Sequence, residues 1–553
     1  MRRLMRVLLL ALLSALLSAL VGTPALAEVV RIHDLSPEQL GELRQQHDFW
    51  GLDQRADAAV FWLDAEARKQ LSLHGYRIEP DPQRQAEFER WQTIDRSAWR
   101  AGSLGTIPGF GCYRTVSQTH ADLQALVLQF PDRAEWRDIG DSWQIGAGSA
   151  PGDSIFALVI RNPDSPHPRA PLVIMAAQHA RELATAEIAT RFAELLLLNP
   201  DHDPDLAWLA DHREIHIIAQ QNPDGRRQVE AGDSFWRKNH NETACPGSNP
   251  GVDLNRNSTM FWGQASSSNS CSDSYRGGFA GSEPETQAVQ AYLTTVFTPQ
   301  RPGGGPNDPA PADAEGLFIS LHSFGQLVLF PWEGLGGQNE NNAPNHTALA
   351  TLGRRFGFET NYDVGRWQLL GPAGGTMVDF AYSEFGVAAY TFEVGTSFTQ
   401  SCTSFESTVW PANRSALLLA AKAARQPYLE PAGPEITALT VSIEQGAIRL
   451  LGQADDSRYF RGNVTEPPAQ DPVSEVVEIR VALGAPEQTG AAVFGFVLTP
   501  PAVATSFDFS LPAGVTLPVN GRLFVTAVDS QGQTGLPRVV EVASLIFSDG
   551  FEQ

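Results

Sequence analysis

The sequence predicts an α/β domain on a sheet of buried strands, preceded by a small α+β unit and followed by an immunoglobulin-like β-sandwich. Three patterns carry that prediction. Between about 105 and 428, apolar runs at 170–177, 214–219, 317–321 and 388–392 alternate with helical stretches, as in a parallel sheet covered on both faces. Past Pro431 helical periodicity gives way to period-two alternation broken by Gly, Pro and Asp, which marks short strands of a sandwich. Between 28 and about 95, strand and helix alternate in a segment short enough to be a unit of its own. The 553 residues have room for about three to four such units.

Taken in order, residues 1–27 read as a secretory signal. A basic start (Arg2, Arg3, Arg6) precedes an apolar run from Val7 to Val21, and Ala25-Leu26-Ala27 forms an A-x-A cleavage site. The run falls short of the roughly 20 apolar residues a membrane span needs, so the mature chain is expected to start near Glu28, secreted to the periplasm or beyond. In 28–100, ValValArgIleHis and AlaAlaValPheTrpLeu read as strands. SerProGluGlnLeuGlyGluLeuArg reads as a capped helix, and Ala65–Leu73 as a second. The α/β domain occupies 105–428, the sandwich 433–545, and 546–553 is a short acidic tail.

Composition narrows the function. A net charge of −23 with no basic run repels phosphate backbones and excludes nucleic-acid binding. No later segment is long and apolar enough to span a membrane. Cys112, Cys245, Cys271 and Cys402 are even in number and lack a CxxC spacing, which in an exported chain predicts two disulfides. Of three connectivities, Cys245–Cys271 with Cys112–Cys402 is preferred, because the first pair brackets one loop. Asn241 and Asn345 match glycosylation acceptors by chance.

The chemistry-bearing residues gather at strand ends. His179 and Glu182 stand three apart just after the first buried strand, His322 ends the strand LeuPheIleSerLeu, and Glu393 follows AlaTyrThrPhe. In open α/β sheets, ligands collect outside the carboxyl ends of strands. Two imidazoles and a carboxylate suit a Zn²⁺ ion with one open position. Glu393 is costly after a buried strand unless it is paired or functional. Arg237, Asn255 and Arg256 lie in the loops after AsnProAspGly (222–225), where guanidinium groups would attract a carboxylate and stabilise an oxyanion.

In order and approximate spacing, His179xxGlu182, AsnProAspGly, TrpArg237Lys, Asn255Arg256Asn, TyrArgGlyGly (275–278), SerGluProGluThr (282–286), His322, Asp379 and Glu393 resemble the zinc metallocarboxypeptidases of the carboxypeptidase A/B type. The resemblance spans roughly 110–428. It implies a mixed, largely parallel sheet and one Zn²⁺ ion held by His179, Glu182 and His322. It implies Glu393 as general base and Arg237 as oxyanion stabiliser. Asn255 and Arg256 would grip the terminal carboxylate of a peptide, with Arg181 as a secondary contact. The amino-terminal unit is similar in shape and position to the activation propeptide of such enzymes, so the chain would be a zymogen. The implied partners are peptides or proteins with a free C-terminus, acted on by a monomer.

One departure stands out. Where these enzymes carry a tyrosine before GlyGly, this chain has Leu370 or Gly371; Tyr362 and Tyr382 flank the segment without matching it. Val378, before Asp379, aligns with the selecting position and implies preference for hydrophobic or aromatic ends. Two alternatives stand beside the carboxypeptidase: a zinc amidohydrolase acting on peptidoglycan stem peptides, and a binding module that has lost catalysis.

Overall fold

The computed structural model describes residues 27–542 apart from 54–57, 83, 87–88, 90–104, 108, 149–151, 166–169, 199–202, 335–341, 445, 458–471, 489, 513 and 516–520. Nearly all of the leader and the acidic tail lie outside the described residues, as does most of the stretch between Gln92 and Ile107, where an accessible linker between domains predicts the propeptide cleavage.

The amino-terminal unit comprises β1 (Glu28–His33), α1 (Pro37–Gln46), β2 (Asp48–Asp53), β3 (Ala58–Leu63), α2 (Ala65–Leu73) and β4 (Arg77–Pro80). Its four strands form a sheet in the order β2-β3-β1-β4. Ser36 starts α1 with a reciprocal capping box to Gln39, which satisfies two otherwise unbonded amides. Val30, Ile32, Leu40, Leu43, Ala59 and Phe61 bury one face of the sheet under the helices.

The central domain opens with β5 (Thr106–Ile107), β6 (Phe110–Arg114) and α3 (Val116–Gln129). It continues through β7 (Ala134–Asp141), β8 (Ser154–Ile160), β9 (Ala170–Met175), α4 (Leu183–Leu198), α5 (Pro204–His212), β10 (Arg213–Ile218) and α6 (Pro223–Ala231). Then come α7 (Pro284–Val296), β11 (Leu317–His322), β12 (Leu327–Leu329), α8 (His346–Thr360), β13 (Asp363–Gly365), α9 (Met377–Phe385), β14 (Ala388–Glu393) and α10 (Trp410–Ala423). Eight strands pair in the order β13-β12-β14-β11-β9-β10-β8-β7. The middle four, β14-β11-β9-β10, are parallel, while β7, β8 and β12 make antiparallel pairings. The sheet is mixed and largely parallel at its centre. β11 is buried along its whole length, which explains the uninterrupted apolar runs. Disulfides join Cys112 to Cys402 and Cys245 to Cys271, the preferred pairing.

After Gly433 come β15 (Glu435–Glu444), β16 (Ala447–Asp455), β17 (Val476–Ala482), β18 (Val493–Ala502), β19 (Ala504–Ser510), β20 (Arg522–Asp529) and β21 (Arg538–Glu541). They form two antiparallel sheets, β15-β16-β19 and β18-β17-β20-β21. Ile436, Leu450, Ile479, Val481, Leu523 and Val525 fill the space between them. The two sheets pack face to face as a β-sandwich.

Candidate active site

The parallel register builds the site. β11 and β14 pair with His322 opposite Glu393, so two residues 71 positions apart in sequence are neighbours at the carboxyl end of the sheet. The amide of Val394 donates to the carbonyl of His322 (2.7 Å) and carries the ladder one step further. His179 lies in the turn between β9 and α4. Asn222 pins that turn by donating from Nδ2 to the carbonyls of Gln178 and Lys238 (both 3.0 Å). Gly225 is needed there because a Cβ would come within 2.5 Å of the Lys238 carbonyl. The AsnProAspGly motif is therefore a clamp that joins the His179 turn to the Arg237 segment.

His179, Glu182 and His322 are buried and present ligand atoms within 4.8 Å of one another. Nδ1 of His179 is 2.7 Å from Glu182 Oε1 and 3.1 Å from Nδ1 of His322. Nδ1 of His322 is 3.3 Å from Glu182 Oε2. The other ring nitrogens are engaged elsewhere: Nε2 of His179 meets Asp253 Oδ1 at 3.0 Å, and Nε2 of His322 meets the Ser320 hydroxyl at 3.0 Å. A carboxylate only accepts, so the bond to Asp253 takes the Nε2 proton of His179, and Nδ1 is the ring nitrogen that would offer its lone pair to a cation shared with Glu182 and His322. Burial opposes charge on both Glu182 and His322. Nevertheless the two imidazoles hold the Glu182 carboxyl below its usual range, and Glu182 raises His322. Two imidazoles and a carboxylate converging on one point are a donor set that fits Zn²⁺.

Around it, Arg237 forks onto Asp253 (Nη2 to Oδ2, 2.8 Å), with Nη1 3.4 Å from His179 Nδ1. Arg256 is buried, donates Nη1 to the Asn255 carbonyl (2.7 Å) and leaves Nε without a partner. Asn255 is fixed through its amide to Asp253 Oδ1 (3.0 Å). Burial pushes the Glu393 carboxyl up to about 8, with Glu182 adding to it and His322 working against it.

A family model for zinc carboxypeptidases matches residues 119–414, more than half of the chain. The chain belongs to the zinc carboxypeptidase family. Carboxypeptidase A1 of Rattus norvegicus is 28% identical over 393 residues, covering 66% of this chain and 83% of that protein. Metallocarboxypeptidase A of Arthroderma otae is 30% identical over 237 residues, covering 42% and 51%. Among solved structures, carboxypeptidase A from Helicoverpa armigera superposes with a TM-score of 0.57 at 24% identity, over 72% of this chain and 98% of that one; this is a likeness of fold. The protein is a zinc-dependent metallocarboxypeptidase, a peptide hydrolase whose family uses one zinc ion.

Glu393, Arg237, Asn255 and Arg256 line one cleft with His179 and Glu182. Arg181 and Val378 are not among the lining residues. Arg181 is fully buried beneath the amino-terminal unit, paired with Asp48 (2.8 Å) and stacked over Phe398 at 4.3 Å. Val378 is 1% exposed and packs in the domain core. As the second residue of α9 it turns toward the sheet, while Asp379 holds the backbone of residues 333–334. The apolar-pocket expectation rests on Val378, which stands outside the lining of the cleft. Neither flanking tyrosine replaces the missing one: the Tyr362 hydroxyl binds Gly395 and Asn413, and the Tyr382 hydroxyl binds Asn345. Leu370 packs with Leu327 and Leu329.

The sequence reading missed Asp253, Glu333 and the cap residues Arg44 and Asp48. Asp253 stands two before Asn255 in a motif already singled out. Glu333 follows a buried strand and ProTrp, the same signal that marked Glu393. Arg44 and Asp48 carry no local signal.

Proposed function

We propose that this is a secreted carboxypeptidase, made latent by residues 28–100, that removes single residues from free peptide C-termini. The convergence of His179 Nδ1, His322 Nδ1 and Glu182 beside Glu393, its cross-strand neighbour, supports this reading most directly. His179, Glu182 and His322 would hold the zinc ion. When bound, zinc supplies a Lewis acid for the scissile carbonyl and lowers the pKa of water. Glu393 takes the proton of the attacking water and passes it to the leaving amine. Arg237 donates toward the developing oxyanion from Nη1, while Asp253 holds its other end. Arg256 offers its free donors to the α-carboxylate, and Asn255 completes that grip.

The amino-terminal unit fits a propeptide. Arg44, Asp48, Phe49, Trp50 and Gly51 line the same cleft as the catalytic groups. Trp50 stacks on Phe235 at 4.5 Å, and Arg44 donates to the carbonyls of Leu370 and Gly371 (2.8 Å to the latter). Side chains of α1 and β2 thus occupy part of the cleft that holds His179, Glu182, Arg237 and Glu393. No described helix is long and apolar enough to cross a membrane, and residues 1–27 supply the export signal.

The test is amino-acid release from paired peptides with free or amidated C-termini, before and after limited proteolysis, with and without a zinc chelator. Chelator-sensitive release from free ends alone, rising after proteolysis, is expected. Release from amidated ends equally well would remove the carboxylate grip from the reading.

A further inference from the structure

Glu333 is an acid of the cleft that the chemistry above does not use. It follows β12 on the chain and is 4% exposed. Its backbone is fully bonded. The amide donates to Asp379 (3.0 Å to Oδ1), the next amide donates to Asp379 Oδ2 (2.8 Å), and its carbonyl accepts from Ala373 (2.9 Å). The side chain is pinned at its root and lines the cleft. Its Oε1 is buried without a hydrogen-bond partner, an arrangement that is costly to keep unless a ligand completes it. Arg256 feels its charge but spends Nη1 on Asn255.

We propose that Glu333 selects peptides ending in lysine or arginine, by pairing with the side-chain cation while Arg256 takes the α-carboxylate. This rests on the carboxypeptidase reading and names its substrate class. Leu329, Leu370 and Ala373 line the same space and suit the methylene stem of such a side chain. The docked amino-terminal unit places a cation in the same cleft, where Arg44 donates to the carbonyls of Leu370 and Gly371. Without that unit the cleft offers those two carbonyls and, elsewhere on its wall, the Glu333 carboxylate, acceptors that suit an ammonium or guanidinium.

The experiment uses the full chain, zinc-loaded and opened by limited proteolysis, on peptides differing only in a terminal Lys, Arg, Phe or Leu. Binding of free L-arginine and L-phenylalanine is titrated calorimetrically in parallel. Lys and Arg ends are expected to be preferred, and Glu333→Gln to lower the Lys-to-Phe ratio of kcat/KM by about 10²-fold, chiefly through KM. Residual Phe release reports that the variant is folded. Preference for Phe or Leu with a ratio unchanged in Glu333→Gln would overturn the proposal and leave the carboxypeptidase standing. If no free end is cleaved, the carboxypeptidase reading fails. The titration then decides alone: arginine binding lost in Glu333→Gln supports the cation site, and binding equal in both proteins refutes it.

Discussion

His179 faces the centre of the site because Asp253 takes its other ring proton, and Asp253 simultaneously holds Arg237. Burial opposes the charge on Asp253, but Arg237 and His179 hold its carboxyl well below the usual range, so it remains an acceptor at any working pH. Asp253→Asn should therefore weaken zinc retention by about 10–100-fold, measured by competition with a chelator; unchanged retention would show that the turn alone orients His179. Glu393→Gln keeps the shape and removes the base. It should lower kcat by about 10²–10⁴-fold with zinc still bound, and near-normal turnover would exclude Glu393 from proton transfer.

At the scale of elements, the proposed latency makes α1 and β2 a plug, and its hold would depend on pH. Burial, together with Asp273, pushes Asp48 up to about 7, although Arg181 pulls the other way. Asp273 is held below its ordinary value, with burial opposed by Arg181, so its contribution changes only under the usual carboxylate range. The docked cap thus binds one more proton at Asp48 than a released, solvated cap does between about pH 4 and 7. A raised pKa in the docked state means docking is favoured at the acidic end, weakens as pH rises through about 7, and is flat above it. The slope cannot exceed about tenfold per pH unit. Uncut protein should be more resistant to cap cleavage at pH 5 than at pH 8, and Asp48→Asn should flatten that profile. An unchanged profile in the variant would place the pH dependence elsewhere.

Across the whole molecule, the sandwich is fastened to the catalytic domain by buried charge. Arg213 and Glu487 form an ion pair, and the Trp208 indole donates to the same carboxylate (3.2 Å). Arg522 adds a bond to Asp211 (3.1 Å). Arg213 also donates to the carbonyls of Ala421, His212 and Lys422. Glu487→Ala strands a buried guanidinium, which typically costs about 3–5 kcal/mol. Denaturant unfolding should lose stability near the lower end of that range, because the three carbonyls remain. A loss under about 1 kcal/mol would show that they suffice. No ladder hydrogen bond joins the sandwich strands to the eight-stranded sheet among the described residues, so docking rests on side chains: these charges, and an apolar seam in which Phe524, Leu536 and Val539 join the core of the catalytic domain, with Trp208 edge-on to Phe524 at 5.5 Å.

Burial and local spacing were legible in the amino-acid sequence. The apolar runs marked the central strands because β11, β9 and β14 are covered on both faces, and a charge directly after such a run marked His322 and Glu393. The spacing of His179 and Glu182 predicted a shared point because a strand-to-helix turn is short. What the tertiary structure decided depends on how distant elements dock. The register that sets His322 against Glu393, the seating of Arg44 and Asp48 in the cleft, and the orphaned oxygen of Glu333 all depend on segments far apart on the chain. Val378 shows the reason at the smallest scale. At the start of a helix each residue rotates the side chain by about 100°, so the preceding loop, seated by Asp379 on residues 333–334, decides that Val378 lies in the core and not in the lining of the cleft.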